Sequence, residues 1–92
     1  MYRIVYTNQM KRDAKLMKKR GKDMSKLVHI LSLLASGDSL PAQHKDHPLT
    51  GNLRDFRECH IEPDWMLIYQ KYEDILVLSA TATGSYADLF GL

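Results

Sequence analysis

The residues best suited to chemistry lie between positions 44 and 64. His44, His47 and His60 fall in or just after one proline-containing segment, and imidazole is the side chain that most readily takes and gives a proton near neutral pH. His44-Lys45-Asp46-His47 has a spacing found in metal-binding pairs, but a metal site needs further ligands at set geometry. The segment offers none, so no metal and no cofactor are expected. Taken singly, each histidine also fits a surface or hydrogen-bonded position.

The stretch Phe56-Arg57-Glu58-Cys59-His60-Ile61-Glu62-Pro63-Asp64 is more informative. Strand alternation puts Glu58 and His60 on one face and Cys59 and Ile61 on the other. Cys59 and Ile61 are the natural core side, so Glu58 and His60 should face the open side, with Asp64 within reach across a hairpin. A carboxylate beside an imidazole orients the ring and favours its charged form. The same arrangement also fits an ionic cluster that solubilises the sheet.

Other elements must position these groups. Tyr2 to Tyr6 alternates and is β-prone, which predicts a first strand. Thr7 or Asn8 caps a helix with Met10, Ala14 and Met17 on one face, and Gly21 after Lys18-Lys19-Arg20 ends it. Asp23 caps a second helix, in which Met24, Leu27, Val28, Leu31, Leu34 and Ala35 recur at helical spacing up to Gly37. So short a turn predicts an antiparallel helix pair. Residues 38–52, with Pro41, Pro48 and Gly51, read as a long loop of the functional kind. Strands follow at Phe56–Ile61, Trp65–Tyr69 and Ile75–Ala80, separated by hairpin-length breaks. The order β-α-α-β-β-β predicts an α+β fold, with the helix pair on one face of a four-stranded, mostly antiparallel sheet.

Length and composition set bounds. A chain of 92 residues has room for one domain, 1–92, which buries only about 60–65% of its unfolded surface. No apolar run approaches a membrane span, and Met1-Tyr2-Arg3-Ile4 does not read as a leader. The single Cys59 excludes an internal disulfide, so a cytoplasmic setting is expected. Net charge is +2, yet residues 1–40 hold nine Lys or Arg against three Asp, and residues 41–92 hold four against eight acids. Such asymmetry suits a nucleic-acid or acidic-protein partner and suits a solvated helix face equally.

Three blocks are specific in combination: Lys45-Asp46-His47-Pro48-Leu49-Thr50-Gly51, Phe56 through Tyr69, and Gly84-Ser85-Tyr86-Ala87-Asp88-Leu89-Phe90. They closely resemble the YafQ branch of the RelE/ParE superfamily of type II toxins, and the likeness covers essentially the whole chain. The resemblance implies a RelE-like fold and a metal-independent endoribonuclease. Such an mRNA interferase cuts messenger RNA, typically in the ribosomal A site, by attack of the ribose 2′-hydroxyl on the adjacent phosphate.

It also implies that His47, His60, Asp64 and Phe90 are functional, with Glu58 at an acidic position seen in relatives. The two histidines can divide the acid and base work, provided they lie within about 15 Å of each other. Tyr86 and Phe90 can stack a splayed base. Lys11, Lys15, Lys18 and Lys19 are candidates for ribosomal RNA phosphates. Relatives usually carry arginine near Thr81-Ala82-Thr83 and histidine at Tyr86, so a phosphate cation is missing here unless Arg54 or Arg57 supplies it, although Arg57 shares parity with the core-side residues. The implied partners are a DinJ/RelB-like antitoxin, messenger RNA with the ribosome, and operator DNA through the antitoxin. The rival reading is a binding module of the same fold, acting with its antitoxin in DNA-bound repression.

Overall fold

The chain leaves its first strand, β1 (Arg3–Tyr6), at a residue that starts a helix. The Thr7 hydroxyl accepts from the Met10 N–H, satisfying one of the donors that a helix N-terminus leaves open. In this computed structural model, which describes residues 1–91, α1 spans Asn8–Lys19 and buries Met10 and Met17. Gly21 then takes φ 83°, and Lys22 N–H reaches back to the Met17 carbonyl. That left-handed turn is the standard way for a helix to stop at glycine. Asp23 accepts from Ser25 N–H and opens α2 (Met24–Ala35), whose buried residues are Leu27, Ile30, Leu31, Leu34 and Ala35.

The sheet has five strands in the order β1-β5-β4-β3-β2, not the four expected. The extra strand is β2 (His47–Pro48), at the edge of what reads in sequence as a loop. Its two residues pair antiparallel with Glu58 and Arg57 of β3 (Arg57–Glu62). Strands β4 (Trp65–Tyr72) and β5 (Val77–Gly84) continue the antiparallel run, and β1 joins β5 in parallel. The rest of the expected loop is tied by two single helical turns, Ala42–His44 and Gly51–Leu53. Strand β5 begins later than expected and runs through Thr81, Ala82 and Thr83. Ile75 and Leu76 stay exposed in the hairpin, with Leu76 at positive φ. A last helix, α3 (Tyr86–Phe90), closes the described chain.

Both helices pack on one face. Met10 and Met17 of α1 and Leu27, Ile30, Leu31 and Leu34 of α2 meet Cys59, Ile61, Trp65, Leu67, Tyr69, Leu78 and Ala80 of the sheet. Fully burying such a side chain is worth about 1.5–3 kcal/mol, so this layer fixes the fold. Among the described residues, no helix is long and apolar enough to cross a membrane.

Candidate active site

The other face of the sheet carries the histidines. Glu58 lies opposite His47 in the β2–β3 ladder, and His60 follows two residues along β3 on the same face. The Nε2 atoms of His47 and His60 each lie 3.6 Å from one oxygen, Glu58 Oε1. The two nitrogens are therefore no farther apart than twice that distance, well inside the reach that one phosphate demands.

Each ring is oriented from behind. His60 Nδ1 is 3.1 Å from the Pro63 carbonyl, and His47 Nδ1 contacts the Lys45 carbonyl. A carbonyl can only accept, so both Nδ1 atoms carry hydrogen and both Nε2 atoms are left for the site. At 3.6 Å, neither Nε2 is hydrogen-bonded to Glu58. Glu58 itself is buried, and its second oxygen has no hydrogen-bond partner among the described residues.

The Asp64 side chain reaches the start of the last helix. Its carboxylate accepts from the Tyr86 N–H at 3.0 Å and so anchors the start of α3. Ser85 and Asp88 complete that start as a reciprocal capping box. Arg20, at the end of α1, makes two contacts with Asp88, at 2.5 and 3.1 Å. That guanidinium first, and then the Ser85 N–H, hold the Asp88 carboxyl well below the usual carboxylate range. The result is a fixed five-residue helix in which the rings of Tyr86 and Phe90 sit 4.9 Å apart, tilted by 41°. Asp64 follows Pro63, the residue that orients His60. The Tyr86–Phe90 pair is thus coupled to the histidine cluster through one turn.

Position 82 also joins this face, for a reason that alternation conceals. Leu78 and Ala80 point to the core, which by simple parity would send Ala82 there too. A bulge between Ile68 and Tyr69 shifts the register and reverses that sense. His47, Glu58, Ile68 and Ala82 become one cross-strand row. Thr83 turns inward instead, where its hydroxyl accepts from Trp65 Nε1 at 2.9 Å.

The remaining candidate side chains lie apart from the histidine cluster. Arg57 does not join the histidines: its Nε donates toward Asp46 and the Tyr69 hydroxyl on the helix side of the sheet, each at 3.3 Å. Arg54 is exposed, just after the turn Gly51–Leu53. Lys11 and Lys15 flank an apolar groove between α1 and α2, and Lys18 and Lys19 are exposed at the end of α1, so these lysines belong to the helix layer. His44 does not pair with His47 as a ligand; its Nδ1 donates to the His60 carbonyl at 2.7 Å. Among the described residues, no three His, Cys, Asp or Glu side chains are disposed to hold one metal ion. Burial pushes the Cys59 thiol up to about 12, which leaves it unreactive at neutral pH.

Sequence reasoning missed the Arg20–Asp88 pair and the Asp46–Tyr69 contact. The first had a readable half, because Ser85-x-x-Asp88 has capping-box spacing. The second joins residues 23 apart with no periodic signal.

Known proteins resemble this chain over nearly its whole length. Residues 2–91 match the family model for the bacterial toxin of type II toxin–antitoxin system, YafQ. The mRNA interferase toxin YafQ of Escherichia coli strain K12 is 45% identical over 89 residues, covering 96% of this chain and 95% of that one. The toxin in the crystal structure of the E. coli DinJ–YafQ complex is 42% identical, with a TM-score of 0.90 over 99% of this chain and 100% of that one. A metal-bound toxin from Helicobacter pylori is 38% identical, with a TM-score of 0.92 over 98% of this chain and 100% of that one. The chain belongs to the YafQ family of bacterial toxins of type II toxin–antitoxin systems.

Proposed function

We propose that this toxin is an endoribonuclease that cleaves messenger RNA in the ribosomal A site without a metal, through His47 and His60. One histidine takes the proton of a ribose 2′-hydroxyl as that oxygen attacks the adjacent phosphorus. The other gives a proton to the departing 5′-oxygen as the P–O bond breaks. The products are a 2′,3′-cyclic phosphate and a free 5′-hydroxyl, so atoms and charge balance with no further reagent. The observation that carries this reading is the pair of Nε2 atoms, each 3.6 Å from Glu58 Oε1 and each presented by a backbone-bonded Nδ1. Glu58 supports it too: a buried carboxylate oxygen without a partner destabilises a fold, and such groups are characteristic of functional sites.

The Tyr86–Phe90 pair offers a stacking surface for a base beside the scissile phosphate. Lys11, Lys15, Lys18 and Lys19 on the helix layer suit phosphate contacts with ribosomal RNA. The inhibitor is an antitoxin of the DinJ type, through which the complex reaches operator DNA. The binding-module reading draws on one observation: Ala82 stands in the row of His47 and Glu58 and brings no cation.

The test is single-turnover cleavage of ribosome-bound messenger RNA by the purified toxin in excess EDTA. Cyclic phosphate ends are the expected result. Loss of cutting on chelation, restored by added zinc or magnesium, would overturn the metal-free mechanism. Folded toxin that binds its antitoxin and operator but never cuts would favour the binding module.

A further inference from the structure

The segment that carries His47 has little to hold it on its own side of the sheet. Strand β2 is two residues long and sits at the sheet edge. Lys45 before it is in the left-handed region at φ 48°. The next main-chain tie is Leu49 N–H to the Phe56 carbonyl at 2.9 Å. The His47 side chain is 45% exposed, and an edge this short contributes few ladder bonds. Catalytic placement of an imidazole needs more than this, since an error of about 1 Å can cost about 10²-fold in rate.

The missing restraint is on the opposite face. Alternation sends Asp46 toward the helix side while His47 faces the open side. There the Tyr69 hydroxyl donates to Asp46 Oδ1 at 2.5 Å. Arg57 Nε reaches the same oxygen and the Tyr69 hydroxyl, closing a triangle. Tyr69 is fully buried in β4, in register with Arg57. We propose that Tyr69 and Asp46 are positioning residues for His47, a hydroxyl–carboxylate tether that works through the sheet to fix the segment bearing this imidazole. This rests on the ribonuclease reading and concerns how that site is held.

Burial first, and the Asp46 carboxylate next, push the Tyr69 phenol up, so it is a permanent donor at any working pH. A buried tyrosine hydroxyl needs some partner. Here the partner is the residue directly bonded to His47, so any slackening at Asp46 passes to the imidazole through one peptide unit.

The experiment compares Tyr69→Phe, Asp46→Asn and Asp46→Ala in the full-length toxin. It reads steady-state cleavage kinetics and the ring resonances of His47 and His60 in nitrogen-15 NMR spectra. Tyr69→Phe is expected to lower kcat by about 10–10²-fold while KM stays within about twofold. Asp46→Ala should fall as far. Asp46→Asn, whose amide oxygen still accepts from the phenol, should keep most of the rate. The His47 ring signals should shift or broaden in Tyr69→Phe and Asp46→Ala, with those of His60 unmoved.

A merely structural contact would lower Tm and leave kcat of the folded protein and the His47 signals unchanged, and that result overturns the tether. If Tyr69→Phe does not fold, Asp46→Ala, at a half-buried surface position, carries the same comparison. Should the unsubstituted toxin fail to cut RNA, the ribonuclease reading falls, yet the His47 signals still decide the tether.

Discussion

Two faces of one sheet edge treat their polar groups in opposite ways. On the helix side of β2 and β3, Asp46, Arg57 and Tyr69 bond to one another. On the open side, His47, Glu58 and His60 gather around one oxygen with no hydrogen bond among them. The strands are the same, and the residues are sequence neighbours: Asp46 beside His47, and Arg57 beside Glu58. The difference teaches what each face is for. Bonds made within the protein fix geometry, whereas donors and acceptors left unmade at fixed geometry remain for a substrate. The comparison also separates two kinds of mutant, those that loosen the site and those that empty it.

The sharpest break comes from emptying the open face. His60→Ala or His47→Ala should reduce cleavage by about 10²–10⁴-fold, the usual worth of one positioned acid or base. Neither ring is part of the core, so circular dichroism and Tm should stay close to those of the unsubstituted toxin. Single-turnover rates on folded protein check this. A variant that cuts normally would remove that histidine from the mechanism.

The next effect runs in the opposite direction. Ala82 shares a cross-strand row with His47, Glu58 and Ile68. It lies two strands from Glu58, roughly 10 Å at normal strand spacing, a gap that an arginine side chain largely spans. Ala82→Arg should therefore raise single-turnover cleavage, by up to about 10²-fold if it supplies a phosphorane-binding donor of ordinary worth. If the rate does not move while Arg54→Ala collapses it, the cation comes from the exposed turn before β3. Arg57 is a poor candidate for that role, being engaged on the helix side.

Much of this arrangement was legible in the sequence, and the failures share a cause. Thr7, Gly21 and Asp23 marked the helix ends through local backbone chemistry, and the parity of Glu58, Cys59, His60 and Ile61 followed from alternation. Strand β2 was not legible, because two residues including a proline carry no strand signal and exist as a strand only by pairing with β3. The continuation of β5 through Thr81-Ala82-Thr83-Gly84 was hidden for the same reason. The bulge that re-aims Ala82 is a property of register between strands, which no single segment encodes. Helix α3 is too short for periodicity, and its one readable mark, the Ser85-x-x-Asp88 spacing, went unused. Alternation places Asp64 within reach of the histidines across the hairpin, whereas its carboxylate accepts from the Tyr86 N–H.

Glu58→Gln sharpens the comparison at lower amplitude. The change keeps shape while removing a buried charge that has one oxygen unpartnered. Relieving it should leave Tm unchanged or raised, because unpaired buried carboxylates destabilise a fold. Cleavage should fall by about tenfold or more, as the electrostatic partner of both rings is lost. Asp46→Asn makes the useful control: it removes a carboxylate that is bonded, and should gain no stability. Calorimetry on the two variants side by side checks the pair, and a stability loss in Glu58→Gln as large as in Asp46→Asn would erase the distinction between the faces.

The smallest effect belongs to the Arg20–Asp88 pair, which ties α1 to the helix bearing Tyr86 and Phe90. Asp88 titrates below its ordinary value of 3.8 because Arg20 first, and the Ser85 N–H second, favour its ionised form. A group whose folded pKa is depressed gives stability that is fully present above the unfolded pKa and is lost as pH falls toward the folded one. The pair should thus be intact at neutral pH and fail only below about pH 4. Arg20→Ala should lower Tm slightly at pH 7, since an exposed ion pair is screened by water and salt. It should lower Tm less at pH 3, where part of the contribution is already gone. The Ser85–Asp88 capping box survives the substitution, so α3 keeps its start and cleavage should change little. Tm measured at the two pH values tests this. An Arg20→Ala loss that grows on acidification would reverse the sign of the argument and assign the acid sensitivity to another carboxylate.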